Sequence, residues 1–296
     1  MTEPADVMRG KRVLITGASS GIGLETARRL AAAGAEIAMV CRDRSRAEAA
    51  RWDIAAAGAG SDPRLFIADL SSQTEINLLA DELHADLDRI DVLVNNAGGI
   101  FERHELTADG VERTFAVNHL APFLLTNLIV DLIREAPEGR VVTVASEAHS
   151  RKFDFANLQG ERSYQFFRNY AITKTANILF AYELARRLSG TNVTSNAVSP
   201  GPTRTRFGDN MTGAAAWFPR IMKRMPFFAS VEKGARTPVW AASAPELAGV
   251  SGRFFMHCKE RTSKPMTNDA DVAARLWSLS EELCGLGPSP QLRLAA

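Results

Sequence analysis

Cysteine is scarce: Cys41, Cys258 and Cys284 are the whole complement of 296 residues. No CxxC pair and no His/Cys cluster at metal-ligand spacing accompanies them, which argues against a disulfide framework or a zinc site and for a reduced, cytoplasmic setting. An excess of charge is lacking too. Lys plus Arg number 35 against 34 Asp plus Glu, and a net charge of +1 leaves nothing with which to neutralise a phosphate backbone, so nucleic acid is not an expected partner. Long apolar runs are missing. The longest, Leu120 to Val130, is broken by Pro122, Thr126 and Asn127, and Glu3 and Asp6 precede any apolar run at the N-terminus, so neither a membrane span nor a signal peptide is expected. There is no internal repeat, and no linker rich in Pro, Gly or Ser before GLGPSPQLRLAA, about 285–296, which reads as a flexible, solvated tail.

What remains is the composition of one soluble globular domain over 1–296, with 46% apolar and 23% charged residues. Short β-rich runs alternate with helical patterns. Val13 to Thr16, Glu36 to Cys41, Leu65 to Ala68, Val92 to Asn95, Val141 to Ser146, Val193 to Val198 and Arg253 to Met256 read as seven strands. Ile22 to Ala33, Arg44 to Ala57, Gln73 to Leu87, Leu106 to Arg134, Ala171 to Leu188, Val231 to Ala242 and Asp269 to Leu283 read as helices. Such alternation predicts an α/β, Rossmann-type doubly wound parallel sheet with helices on both faces, its core at about 10–200.

The first strand runs into Gly17-Ala18-Ser19-Ser20-Gly21-Ile22-Gly23, and a helix begins at about Ile22. Glycines allow a tight turn and close approach of backbone to a pyrophosphate, and the helix N-terminus adds partial positive charge. Glycine clusters also occur in ordinary turns; the strand before and the helix after favour a dinucleotide. The spacing is GxxxGxG and lacks GK[ST], which excludes a phosphate-loop nucleoside triphosphatase. At the end of the second strand, where an acid would hold the hydroxyls of the NAD ribose, stand Cys41 and Arg42, with Arg44 and Arg46 close by. A guanidinium there suits a 2′-phosphate, so NADP is expected in preference to NAD.

Tyr170 and Lys174 stand four residues apart in a helical segment, on one face. A phenol with an ordinary pKa near ~10 is a weak base at neutral pH, and a neighbouring ammonium favours its ionised form. Tyr164 has Arg168 at the same spacing and serves as an internal control. The five histidines, His84, His104, His119, His149 and His257, are too scattered for a ligand set or a hydrolase triad; solvated or capping roles are expected, and no metal.

TGASSGIG at 16–23, Asp69-Leu70, NNAG at 95–98, Asn118 within FAVNH, Ser146, YAITK at 170–174 and PGPTRT at 200–205 together resemble the short-chain dehydrogenase/reductase family in its single-domain form. CRD after the second strand, SEAHS, FANLQGE, ANILFAYELARRL and GRFFMHCKE are similar to its retinol dehydrogenase branch. The resemblance implies that Tyr170 is the general acid/base, that Ser146 hydrogen-bonds the substrate oxygen, that Lys174 holds the nicotinamide ribose and supports Tyr170, and that Asn118 positions a water. It further implies Asp69 at the adenine, Asn95 beside the ribose and Thr203 with Thr205 at the carboxamide, with Leu70, Ala97, Gly98, Pro200 and Gly201 completing the cofactor site. The implied function is hydride transfer between NADP(H) and a lipophilic alcohol or carbonyl compound.

From Arg204 to Phe228, five basic residues interleave with Phe207, Met211, Trp217, Phe218, Ile221, Met222, Met225, Phe227 and Phe228. A substrate lid at about 203–228 is expected, a membrane-surface helix or plain packing at the domain edge being the alternatives. A catalytically idle nucleotide sensor, a membrane-associated interaction protein and an epimerase or dehydratase are the competing functions. A homo-oligomer is compatible with all of them.

Overall fold

The computed structural model describes residues 6–58, 62–203, 229–287 and Leu292. Within them, eight strands form one sheet: β1 (Arg12–Thr16), β2 (Glu36–Cys41), β3 (Arg64–Ile67), β4 (Val92–Asn95), β5 (Gly139–Val144), β6 (Val193–Ser199), β7 (Phe254–Met256) and β8 (Lys259–Glu260). Their order is β3-β2-β1-β4-β5-β6-β7-β8, parallel throughout except for the antiparallel β7–β8 step. The eighth strand adds to the seven read from the sequence. It is two residues long, both exposed, and is reached through His257 and Cys258, which both adopt left-handed backbone (φ 56° and 54°). That geometry is the tight hairpin turn that glycine usually supplies, so nothing in the sequence marked it.

Side chains alternate across each strand, and this alternation builds two cores. Leu14, Val40, Leu93 and Val141 face one layer, formed by α3 (Gln73–Asp86), α5 (Ala121–Leu128), α7 (Phe166–Arg187) and α9 (Ala270–Leu283). Val13, Ile15, Met39, Val94 and Val142 face the other, formed by α1 (Gly21–Ala32), α2 (Arg44–Ala57) and α8 (Val231–Ser243). Strand order reverses between β1 and β4, so their C-terminal ends open the crevice where a doubly wound sheet places its ligand.

The stretch expected as one helix, Leu106 to Arg134, is broken. Leu106 pairs with Glu112 across a turn through Gly110 (φ +76°), and helix starts only at α4 (Arg113–Phe115), where the Glu112 carboxylate accepts from Thr114 N and Phe115 N. A wide π turn, Ala116–Leu120, follows, then α5 and α6 (Val130–Arg134). Of the tail expected at about 285–296, the described residues are those up to Gly287 and Leu292. Leu292 is buried against the first core and its carbonyl accepts from Arg187 Nη1 at 2.9 Å, so at that residue the chain is anchored by an apolar side chain, not solvated. The lid expected at Arg204 to Phe228 lies outside the described residues, as does Thr205.

Candidate active site

β1 delivers the chain to Gly17 (φ +69°) and Gly21 (φ +58°), conformations that disfavour a side chain. Gly23 is needed for space: a Cβ there would stand 2.3 Å from Gly17 O and 2.4 Å from Asn96 Nδ2. Asn96 holds the loop by donating from Nδ2 to Thr16 O at 2.8 Å, while Thr16 Oγ1 accepts from Asn96 N and Ala97 N at 3.0 and 2.9 Å. Ser19 and Ile22 are part-exposed around this turn. Asp43, Ser72, Ser230 and Asp269 cap α2, α3, α8 and α9 through their side chains, but Ser20 makes no cap bond to α1. The first N–H groups of α1 therefore keep capacity for an anion.

Cys41 is buried beside Ala18 and Ser19 of the loop, and burial pushes its thiol up to about 11. Arg42 is exposed, its Nη1 a long 3.9 Å from Asp69 Oδ2. Asp69 Oδ1 accepts from Ser71 N and Oγ, and Leu70 leans on the first core. Asn95, expected beside the ribose, is buried and donates from Nδ2 to Thr126 Oγ1 at 3.0 Å. Strand alternation turns Asn95 inward and leaves the loop contact to Asn96.

β5 ends at Val144, two residues earlier than expected, and Ser146 follows in a turn, Oγ accepting from Ala148 N at 3.1 Å. Burial raises the Tyr170 phenol to about 12, with the Ser146 side chain opposing the shift, so at neutral pH the phenol holds its proton. Lys174, one turn on, is buried, donates from Nζ to Val144 O at 3.0 Å and lies 5.6 Å from the Tyr170 ring centre. Desolvation lowers its ammonium to about 8.

Gly98 makes the junction possible, since a Cβ would come within 3.0 Å of Asn118 Oδ1 and 3.5 Å of Lys174 Nζ. Asn118 sits in the π turn. Its Oδ1 accepts from Gly99 N at 2.8 Å, and its Nδ2 donates to Gly99 O and Thr173 Oγ1 at 2.9 and 3.0 Å. Its amide thus ties the loop after β4 to α7, one turn from Tyr170. Tyr164, the internal control, donates its hydroxyl to Phe101 O at 2.7 Å and lies with Thr114, a structural clamp.

On the far wall, Ser199 Oγ accepts from Glu147 N and Gly201 N at 3.0 and 3.2 Å, joining the Ser146 turn to the Pro200–Gly201 loop. Thr203 Oγ1 donates to Gly201 O at 3.0 Å, and its side chain packs where Gly234 of α8 lacks one.

Residues 11–215 match the short chain dehydrogenase family. The chain belongs to that family. Within it the chain is of the retinol dehydrogenase-like branch: it is 41% identical to retinol dehydrogenase 14 of Mus musculus, over 95% of this chain and 87% of that protein, and 39% identical to retinol dehydrogenase 12 of Bos taurus, over 94% and 87%. Among solved structures, an uncharacterised protein of Mycobacterium paratuberculosis aligns with a TM-score of 0.74 at 30% identity over 94% of both chains. A short chain dehydrogenase of Burkholderia cenocepacia in complex with NADP aligns with a TM-score of 0.65 at 28% identity, over 84% of this chain and 96% of that one.

For this short-chain dehydrogenase, sequence reasoning missed Thr16, Asn96 and Ser199, whose bonds go to backbone of the loops and not outward. Asn96 carried a signal, being the second of two asparagines at a strand end. His119 and His149, expected in solvated or capping roles, are both buried. Among the described residues no helix is long and apolar enough to cross a membrane.

Proposed function

We propose that this oxidoreductase transfers hydride between NADP(H) and a lipophilic alcohol or carbonyl compound. The observation that carries the reading is the convergence of three side chains: Ser146 acting on the Tyr170 hydroxyl, and Lys174 buried one turn along α7, 5.6 Å from the Tyr170 ring centre, at the open ends of β4 and β5. When bound, the nicotinamide supplies the hydride donor or acceptor. Gly17, Ser19, Ser20, Gly21, Ile22 and Gly23 would hold the diphosphate, and Arg42 the 2′-phosphate, its guanidinium exposed and only loosely paired. In reduction, the protonated Tyr170 gives its proton to the carbonyl oxygen, and Ser146 supports the charge developing there. Lys174, next to Gly98, would hold the ribose hydroxyls, and its charge favours the ionised Tyr170 that is left once the proton has been given. Asp69, Leu70, Ala97, Pro200, Gly201 and Thr203 would complete the cofactor site. Asn118 acts through position, holding the Gly99 loop against α7.

A lipophilic substrate is supported by Phe166 and Phe167, one turn before Tyr170 on the same helix, Phe167 40% exposed, and by the relatives' names, retinol dehydrogenase. The idle-sensor reading would need one of the three reactive groups displaced, and they stand together.

The test is a screen of ketones, aldehydes and alcohols followed by nicotinamide absorbance with both cofactor pairs, on the parent, Tyr170→Phe and Arg42→Ala. Apolar cyclic or medium-chain carbonyls with NADPH should lead, Tyr170→Phe should lose at least ~100-fold in turnover, and Arg42→Ala should narrow an NADPH preference on the order of 10- to 100-fold. Parental turnover in Tyr170→Phe, or small hydroxy acids as better substrates, sinks the reading.

A further inference from the structure

The turn that carries Ser146 is held from beneath by a histidine. His149 Nδ1 stands 2.8 Å from Ser146 O, the carbonyl of the serine itself, and the backbone His149 N also reaches that oxygen at 3.3 Å. On the other side of the ring, Nε2 lies 3.0 Å from Lys264 N. A backbone N–H only donates, so Nε2 accepts, and the proton of a neutral ring belongs on Nδ1, donating to Ser146 O. The ring is 4% exposed and meets Phe254 edge-on, centroids 5.6 Å apart. The Lys264 ammonium closes on His149 O. Through the imidazole, the serine turn is thus bonded to a segment 115 residues away in sequence.

We propose that His149 is a positioning residue for Ser146: its neutral Nδ1–H tautomer bridges the serine's carbonyl to the Lys264 amide and fixes where Ser146 Oγ stands relative to the Tyr170 hydroxyl. This rests on the reading that Ser146 and Tyr170 act on the reacting oxygen. Protonation of the ring would set one donor against another at Lys264 and break the bridge. The charged and titratable groups around it are Lys264 on the opposing segment, Glu147 in the same turn, Arg151 beside Lys264, and Tyr182 of α7, whose hydroxyl is tied to Ser263 at 3.0 Å. Desolvation and the Lys264 charge both hold the imidazole below its ordinary range, which keeps the bridge intact at neutral pH.

Four variants separate this role from plain packing. His149→Phe keeps a ring beside Phe254 and deletes both hydrogen bonds; His149→Asn keeps the donor near Ser146 O. Lys264→Pro suits the backbone there (φ −62°) and removes the N–H that faces Nε2, whereas Lys264→Ala removes only the ammonium. His149→Phe is expected to lower kcat by about 10- to 100-fold with the KM for NADPH little changed, and His149→Asn to recover most of it. Lys264→Pro should lower kcat across the pH profile as His149→Phe does, Lys264→Ala, which removes a charge that holds the imidazole low, should move the acid limb to higher pH, and ¹⁵N spectra of the parent should show His149 protonated at Nδ1. Parental kcat in His149→Phe, or an Nε2–H tautomer, overturns the proposal. Ser146→Ala distinguishes the two readings: if it turns over like the parent, the assignment of Ser146 itself fails, whereas an inactive Ser146→Ala beside a parental His149→Phe removes only the positioning role.

Discussion

Lys174 occupies a place where an ammonium is destabilising. It donates to Val144 O, which also accepts from Asn177 Nδ2 at 3.3 Å, so removal of the lysine leaves that carbonyl served. Burial lowers the ammonium from its ordinary 10.5 to about 8 in the folded chain. Below pH 8 both folded and unfolded chains carry the proton, and the folded state bears the full cost of a buried charge. Between about 8 and 10.5 the unfolded chain binds more protons than the folded one, so stability from this group rises with pH. Lys174→Met should therefore raise Tm at pH 7 while cutting turnover, and its advantage in Tm over the parent should shrink as pH is taken from 8 towards 10. A variant less stable than the parent at pH 7 would show that the ammonium is compensated in the fold. A stability cost borne by a reactive residue is the usual trade at a functional site.

At the scale of elements, the strand–loop–helix unit of β1 and α1 is held by mutual exclusion of side chains. Gly23→Ala would drive a methyl into Gly17 O and Asn96 Nδ2, and the loop must move. Titration with NADPH should show at least ~10-fold weaker binding for Gly23→Ala. Gly190→Ala is the control: its φ is +79° with nothing within 4 Å, so it should cost roughly 1 kcal/mol of stability and leave cofactor affinity alone. This unit was legible in the sequence because glycine spacing, strand and helix all act locally. The same holds for the alternating apolar strands and for Tyr170 and Lys174, which share a helix. The break before Arg113 was not legible, because the pairing of Leu106 with Glu112 and the capping by a buried carboxylate are tertiary events hidden beneath a helical apolar pattern. Asn95 was assigned outward from a motif, although strand alternation turns it towards Thr126. The bonds of Ser199 and His149 join segments distant in sequence, and no local pattern announces them.

Across the whole molecule, α9 binds together the layer that carries Asn118, Tyr170 and Lys174. Trp277 of α9 is 2% exposed, lies edge-on to Phe123 of α5 at 4.8 Å and stacked on Phe180 of α7 at 6.0 Å, and is covered by the Arg187 guanidinium at 4.2 Å. One turn further along α9, Ser280 meets His119 of the π turn at 2.9 Å, next to Asn118; burial drives that imidazole down to about 3, so it stays neutral. Trp277→Ala should cost about 3 to 5 kcal/mol and lower Tm by on the order of 10 °C in thermal denaturation, with activity lost at temperatures where the parent is still active. A Tm within a degree of the parent would mean that α9 is not part of the cooperative unit.

The short β8 has a consequence for behaviour at high concentration. The outer edge of a sheet presents unpaired N–H and C=O groups, and a long flat edge invites a second molecule to add its own strand. Here that edge is two residues, Lys259 and Glu260, with both side chains in water and the Glu260 carboxylate paired with Arg253 at 3.4 Å. The left-handed residues His257 and Cys258 reverse the chain just before it. A neighbouring chain would find too little backbone to propagate a ladder and a charge of each sign to desolvate, so the hairpin works as a terminator that guards this side of the sheet against edge-to-edge aggregation.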